Sequence, residues 1–384
     1  MPNVLILGGR APAALDHARR FHRQGWGVVL GDSVSCRLSG WSQSVAATLR
    51  LPSPRYAPQA FVAGLNAAIR RHAIDLVIPT CEEVFYLSRY RDQLPAGVRV
   101  LADRFDTLRI LHSKWNFVGA AAGCGATVPD SCRVATLAEA RAWAGSDPVV
   151  LKPEYSRFGV HVRVHPEGLP ADAPDLEVAG AWVAQRYHAG IELCSYGIAD
   201  RGRLLAHAVY RPGYRIRRSS SYYFDPCRSP QIRDFVAAFV AKMEFTGQIS
   251  FDWIQGEDGT VTVIECNPRA TSGLHLFTQA DALPAALTGE GSACLEPDNA
   301  QAAMIASLML SVGLAQALAG NSLGRWWRDY HRASDVIAVA GDVLPLAGAL
   351  VDLGAYARQA MLQGCNLRQA ATRDIEWDGE CLLP

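Results

Sequence analysis

The stretch Gln248-Ile249-Ser250-Phe251-Asp252-Trp253-Ile254-Gln255, the linker Gly256-Glu257-Asp258-Gly259 and the return Thr260-Val261-Thr262-Val263-Ile264-Glu265-Cys266-Asn267-Pro268-Arg269 decide how this chain is read. Two β-rich runs around a Gly/Asp turn predict a hairpin. With a four-residue loop and an unbulged ladder, Gln255 faces Thr260 and Asp252 faces Val263. Side chains alternate with period two, so Val263, Glu265 and Asn267 share the face of Asp252, with Glu265 its diagonal neighbour. Two carboxylates and an amide oxygen are hard ligands, suited to Mg²⁺ or Mn²⁺. Pro268 ends the strand and sets Arg269 on the same side. A cation beside that pair suits an anionic substrate or a transferring phosphoryl group.

Upstream, Ser229-Pro230 is an N-cap and first-position pair. Ile232, Phe235, Val236, Phe239, Val240 and Met243 then recur at helical spacing. The run Arg211-Pro212-Gly213-Tyr214-Arg215-Ile216-Arg217-Arg218 reads either as substrate-facing cations or as a solvated basic loop. Ala181 to Gln185 is a strand, Val160 to Val164 another, and Pro148 to Leu151 a third that ends in Lys152. A lysine terminating a buried strand needs a partner. Thr136 with Glu139 opens a short helix that stops near Gly145. A single helix from Asp106 to about Gly123 carries Lys114. The first hundred residues alternate strand and helix, with strands at Val4 to Leu7, Val28 to Leu30, Ile74 to Pro79 and Val98 to Leu101. This spacing predicts a parallel, doubly wound sheet. Gly8 is followed by Arg10 and Pro12 where a dinucleotide fingerprint needs glycines, so a nicotinamide dehydrogenase is disfavoured.

Among the 384 residues, Lys+Arg and Asp+Glu both number 37, and this balance disfavours nucleic acid as a partner. The scattered cysteines form no C-x-x-C pair and read as reduced thiols of a cytoplasmic protein. The first residues read as a strand, not a signal peptide. Ala302 to Leu318 is apolar, but its alanines, serines and glutamines favour a buried helix over a membrane span. The chain from about Leu295 onward reads as mostly helical.

Glu265-Cys266-Asn267-Pro268-Arg269 resembles the E-x-N-P-R signature of the ATP-grasp superfamily, of the biotin carboxylase and carbamoyl phosphate synthetase type. Further pieces follow in the order this resemblance implies. Lys114 is similar to the first phosphate-binding lysine and Lys152 to the second, on the lid strand. Gln185-Arg186-Tyr187-His188 resembles the hinge that holds adenine, and Glu192 the carboxylate on the ribose. Asp252, Glu265 and Asn267 match the metal ligands. Lys152 and Arg269 match the catalytic cations. Gln185 stands where relatives more often have glutamate. Pro153 to Gly159 holds one glycine where the lid loop of relatives has several. His275 reads as either a structural histidine or a wall of the acceptor pocket.

The resemblance implies a mixed α/β and α+β chain. A Rossmann-like parallel-sheet domain would cover residues 1–105. An ATP-grasp fold would cover 106–290, with a mobile lid subdomain at about 125–185, and a mostly helical C-terminal region would cover 291–384. It implies ATP with Mg²⁺ or Mn²⁺, and a ligase that phosphorylates a carboxylate and lets an amine, an amino acid among the candidates, attack the acyl phosphate. Expected partners are thus a small carboxylic acid and an amine, with no nucleic acid and no membrane, and a homodimer as the candidate assembly. The rival readings are a bicarbonate-dependent carboxylase and a non-catalytic nucleotide-binding protein.

Overall fold

Residues 4–7 are Val-Leu-Ile-Leu, an apolar run with no polar face, and a strand of that kind is stable only when both its faces are covered. The computed structural model describes residues 1–35, 37–156, 161–177, 180–216, 221–278, 280, 282–297 and 301–382. In it, β1 (Asn3–Leu7) is central to a parallel sheet completed by β2 (Gly27–Asp32), β3 (Ala47–Arg50), β4 (Leu76–Ile78) and β5 (Arg99–Val100), in the order β3-β2-β1-β4-β5. Val4 and Ile6 pack towards α1 (Pro12–Arg23), while Leu5 and Leu7 pack towards α2 (Pro58–Arg71). Helices on both faces make the sheet doubly wound, as the spacing predicts.

The next helix is α3 (Glu83–Arg89). The single helix expected over Asp106 to Gly123 is two, α4 (Phe105–His112) and α5 (Lys114–Ala122). Ser113 breaks it: its backbone is extended, with ψ 116°, and its Oγ accepts the Asn116 N–H as an N-cap. A smaller antiparallel sheet follows, built from β6 (Ser131–Val134), β7 (Val149–Pro153), β8 (Arg163–His165) and β9 (Trp182–Arg186), in the order β6-β9-β7-β8. Its helix α6 (Leu137–Ala144) is capped by Thr136 and stops at Gly145, whose φ is +60°.

The third sheet holds β10 (Ile191–Asp200), β11 (Arg203–Arg215), β12 (Ser221–Cys227), β13 (Gly247–Gln255), β14 (Val261–Asn267), β15 (Ala302–Met304) and β16 (Ala333–Asp335), in the order β14-β13-β10-β11-β12-β15-β16. The amphipathic helix after Ser229 is α7 (Pro230–Lys242), and its Ile232, Val236, Phe239 and Val240 are buried. Val160, Arg157 to Gly159 of the lid loop, Arg217 and Arg218 of the basic run and the two serines after it lie outside the described residues.

The C-terminal region departs from expectation in two ways. It supplies β15 and β16 to the large sheet, and Ala302 to Leu318 is not one buried helix. That stretch runs through β15, a short helix, a π turn over Met309–Gly313 and a further helix over Leu314–Ala319. Leu310 and Leu318 are exposed. An alanine-rich segment buries too little apolar area per residue to hold a continuous core helix. No helix among the described residues is long and apolar enough to cross a membrane.

The last residues return to the N-terminal sheet. Trp377 is buried against Phe85, Phe105, His112 and Tyr155. Arg10, just beyond β1, bonds Asp32 and pairs with Asp374 at 2.7 Å. The crevice where a doubly wound sheet would take a dinucleotide is thus filled by an arginine and the chain's own C-terminal segment.

A buried ion cluster ties α1 to the segment that follows β14. Asp16 accepts from Arg20 Nε at 2.5 Å and lies 2.7 Å from His275 Nδ1. His275 is therefore a structural histidine. Burial alone raises a carboxyl pKa, but Arg20 and His275 outweigh it and hold Asp16 well below the ordinary carboxylate range. A depressed folded-state pKa contributes stability above the unfolded value of about 3.9, and that stability is lost as pH falls towards the folded value. Asp16→Asn should be less stable at neutral pH and show a shallower loss of stability below about pH 4. Acid titrations followed by circular dichroism check this, and parallel acid limbs in the two proteins would refute it.

Candidate functional site

The hairpin is β13 and β14, but its register is not the expected one. Gln255 faces Val261, so the loop is Gly256 to Thr260, closed by a Gly256 N–H to Thr260 carbonyl bond of 2.9 Å. That one-residue shift alone would move Glu265 to the wrong face. A bulge between Asp252 and Trp253 restores it, and Asp252 lies directly opposite Glu265. Val263, expected beside Asp252, pairs with Trp253 and is buried on the other face. The two departures cancel in parity, so Asp252, Glu265 and Asn267 do share a face.

The bulge also frees a carbonyl. Lys152, at the end of β7 and only 4% exposed, donates to the Ile264 carbonyl at 3.1 Å and to Gln185 Oε1 at 2.8 Å. The partner a buried lysine requires is thus a glutamine from β9 and the extra residue of β14. Gln185 Nε2 in turn donates to Ser131 Oγ at 3.2 Å. Burial lowers the Lys152 pKa to about 8, with repulsion from Lys114 adding to the effect and Glu265 and Asp252 opposing it.

Lys114 reaches the same place from another element. The break at Ser113 makes it the first residue of α5. Its N–H donates to the Glu154 carbonyl at 3.1 Å, and Ser113 Oγ donates to Glu154 Oε1 at 2.6 Å. Its Nζ donates to the Ser156 carbonyl at 2.8 Å and stands 3.6 Å from Glu265 Oε1. An uninterrupted helix would not give it that aim.

Asp252 is half-buried and faces Glu265. Burial, then repulsion from Glu265, raises its pKa to about 6. Cys194 Sγ donates to Asp252 Oδ1 at 3.1 Å, and Asn267 Nδ2 donates to Oδ2 at 3.4 Å. Asn267 Oδ1 accepts from Arg269 at 2.9 Å. In this rotamer the amide presents its nitrogen to the carboxylates, and rotation about its last torsion would present the oxygen. Among the described residues no three His, Cys, Asp or Glu side chains converge as a metal site. The pair Asp252 and Glu265 still fits a hard divalent cation: both are oxygen donors, they repel one another, and a cation between them removes that repulsion.

The proposed hinge is only partly brought to this cluster. Arg186 turns away: its guanidinium lies 4.5 Å from the Trp143 ring centroid and bonds Asp147 and the Ala144 carbonyl, each at 2.9 Å. The N–H groups of Arg186 and Tyr187 are committed to the Asp130 and Pro148 carbonyls. Tyr187 and the exposed His188 form the connection into β10. Glu192 lies on the Cys194 and Asp252 face of β10 and pairs with Arg215. Among the described residues of the basic run, Arg215 comes to the cluster.

Sequence reasoning missed Cys194, Glu154 and Glu82. Glu82 follows β4, is 1% exposed, and its Oε1 lies 3.9 Å from Arg269 Nε. The available signal was Thr80-Cys81-Glu82-Glu83, acidic residues at the carboxyl end of a parallel strand, where open α/β sheets place function. Glu154 is buried and pairs with Arg133 at 2.8 Å.

No protein-family model matches the sequence, and no curated protein matches it. Solved structures do. One is N5-carboxyaminoimidazole synthetase from Staphylococcus aureus complexed with ADP, at 14% identity and TM-score 0.62, covering 81% of this chain and 85% of that one. Another is L-amino acid ligase from Bacillus licheniformis, at 16% identity and TM-score 0.56, covering 76% of each chain. A third is the biotin carboxylase of Campylobacter jejuni, at 14% identity and TM-score 0.57, covering 76% of this chain and 71% of that one. At such identities the likeness is one of fold.

Proposed function

We propose that this chain, which has the ATP-grasp fold, is an ATP-dependent ligase that joins a small carboxylic acid to an amine through an acyl phosphate and releases ADP and phosphate. The observation that carries this is the convergence of Lys114, Lys152, Asp252 and Glu265 from four separate elements, with Arg269 just beyond. Lys114 and Lys152 would hold the nucleotide phosphates. Asp252 and Glu265, with the Asn267 amide turned, would hold Mg²⁺ or Mn²⁺, which when bound neutralises charge on those phosphates. Arg269 would grip the acid as its oxygen attacks the γ-phosphorus and ADP leaves, then the acyl phosphate as the amine attacks its carbonyl carbon and phosphate leaves. Glu82, against Arg269, would position that guanidinium. Glu192 would take the ribose, with Gln185, Tyr187 and His188 beside the base.

A second reading, in which bicarbonate is the acid, is favoured by the carboxylating enzymes named among the structural neighbours. Phosphate release measured across acids, amines and bicarbonate separates the two. Release that needs both an acid and an amine supports the ligase, and release with bicarbonate in place of the organic acid supports the alternative. ADP with Mg²⁺ at about 100 times its Kd should stabilise the chain by about 2.7 kcal/mol and raise its melting temperature by several degrees. NADH should leave it unchanged, because Arg10 and the C-terminal segment fill the dinucleotide crevice. Equal stabilisation by NADH would contradict the nucleotide assignment.

A further inference from the structure

We propose that the cavity at the start of α7 is a second small-molecule site, one that takes an organic anion with an apolar body. The cavity has a volume of about 370 Å³ and is bounded by β11, the end of β12, the first turn of α7 and Glu296-Pro297. It shares no residue with the Asp252 and Glu265 cluster. His207 pairs with Gly197, whereas Tyr210 pairs with Cys194 and Cys194 with Asp252. Side-chain alternation therefore puts His207 on the opposite face of the large sheet from Asp252.

Three observations point to a ligand. The first is His207 itself, which lines the cavity at 2% exposure and whose Nε2 has no hydrogen-bond partner. Burying a polar atom without a partner is unfavourable, so an unpaired imidazole in the layer that lines the cavity gains from a ligand once its ring turns to meet one. Burial, then the charge of Arg233, lowers its pKa to about 4, so at neutral pH it offers an uncharged imidazole.

The second observation is the sign of the charge. Arg228 and Arg233 both line the cavity, as does Glu296. Arg233 is spent: it pairs with Glu296 at 3.2 Å and Asp234 at 2.8 Å. Among the described residues Arg228 makes no ion pair, and it is exposed at the mouth. The 13-residue helix α7 starts here behind its Ser229 cap, and its positive end adds to Arg228. One uncommitted guanidinium beside a helix N-terminus matches one anionic group. The third observation is that Val209, Pro226, Pro230 and Pro297 supply apolar walls, which match a short hydrocarbon body.

Equilibrium dialysis with radiolabelled 4-methylpentanoate tests this. The native chain should show one saturable site that does not take neutral 4-methylpentanamide. Arg228→Gln, a change at an exposed side chain, should weaken it about tenfold or more while leaving the melting temperature unchanged. His207→Phe, which fills the space but removes the nitrogen, should weaken it as well. If His207→Phe does not fold, Arg228→Gln decides alone. Arg269→Lys should leave this site intact, which separates it from the acid site proposed above. Absence of saturable binding, equal uptake of the amide, or full affinity in Arg228→Gln would overturn the assignment.

Discussion

Asp252→Asn and Glu265→Gln should each lower ATP-dependent phosphate release on the order of 10³-fold while leaving the fold intact. The two carboxylates face each other across the β13 and β14 pair, and Asp252 is already pushed towards protonation by burial and by Glu265. A pair that repels in the free chain is poised for a divalent cation. Removing one charge removes several kcal/mol of charge stabilisation on a transferring phosphoryl group. The same removal relieves the repulsion, so neither substitution should destabilise the free protein. In Asp252→Asn the new side-chain amide still offers an oxygen to the Cys194 thiol, which Asp252 Oδ1 accepts in the native chain. Phosphate release and thermal melting of the two purified variants check both halves. Turnover within about tenfold of the native chain in either variant would remove the carboxylate pair from the reaction.

The shared face of Asp252, Glu265 and Asn267, with Arg269 beside them, was legible in the sequence because E-x-N-P-R sets these side chains at a spacing that a strand fixes. The parallel sheet was legible for a related reason: apolar runs such as Val4 to Leu7 have only one stable environment. What was not legible depended on single-residue shifts. The hairpin loop is one residue longer than its turn signal suggests, and the bulge that compensates leaves no mark in the composition of Val261-Thr262-Val263-Ile264. The break at Ser113 was hidden because Phe105 to Ala122 is apolar at helical spacing on both sides of it, and the competing bond to Glu154 is made across 41 positions. Glu82, in the turn between β4 and α3, and Cys194, in β10, reach the cluster by tertiary contact alone, which no local pattern records. The Trp377 contacts with the N-terminal core have the same character, because nothing local ties a C-terminal tryptophan to Phe85.

Arg269→Lys should bind ADP within about threefold of the native chain and lose condensation by about 10²-fold or more. The reason is where Arg269 points. It bonds Asn267 Oδ1 and the Ala270 carbonyl and approaches Glu82 across the cleft, while Lys114 and Lys152 lie on the Glu265 side. A planar guanidinium held from both sides can grip a carboxylate or an acyl phosphate with two parallel bonds, which an ammonium cannot reproduce. Lys152 should behave oppositely. Lys152→Met keeps the volume but removes the charge, and it strands Gln185 Oε1 and the Ile264 carbonyl. That costs about 1–3 kcal/mol of stability per unpaired group, so the variant must be measured below its lowered melting temperature. There it should weaken ADP binding by about tenfold or more if, as proposed, the Lys152 ammonium holds the nucleotide phosphates. Isothermal titration of ADP with Mg²⁺ into both variants, paired with product assays under saturating nucleotide, decides the matter. If Arg269→Lys loses nucleotide affinity as severely as Lys152→Met, the two cations do not divide the work, and the acid lies nearer the lysines than the Glu82 side of the cleft.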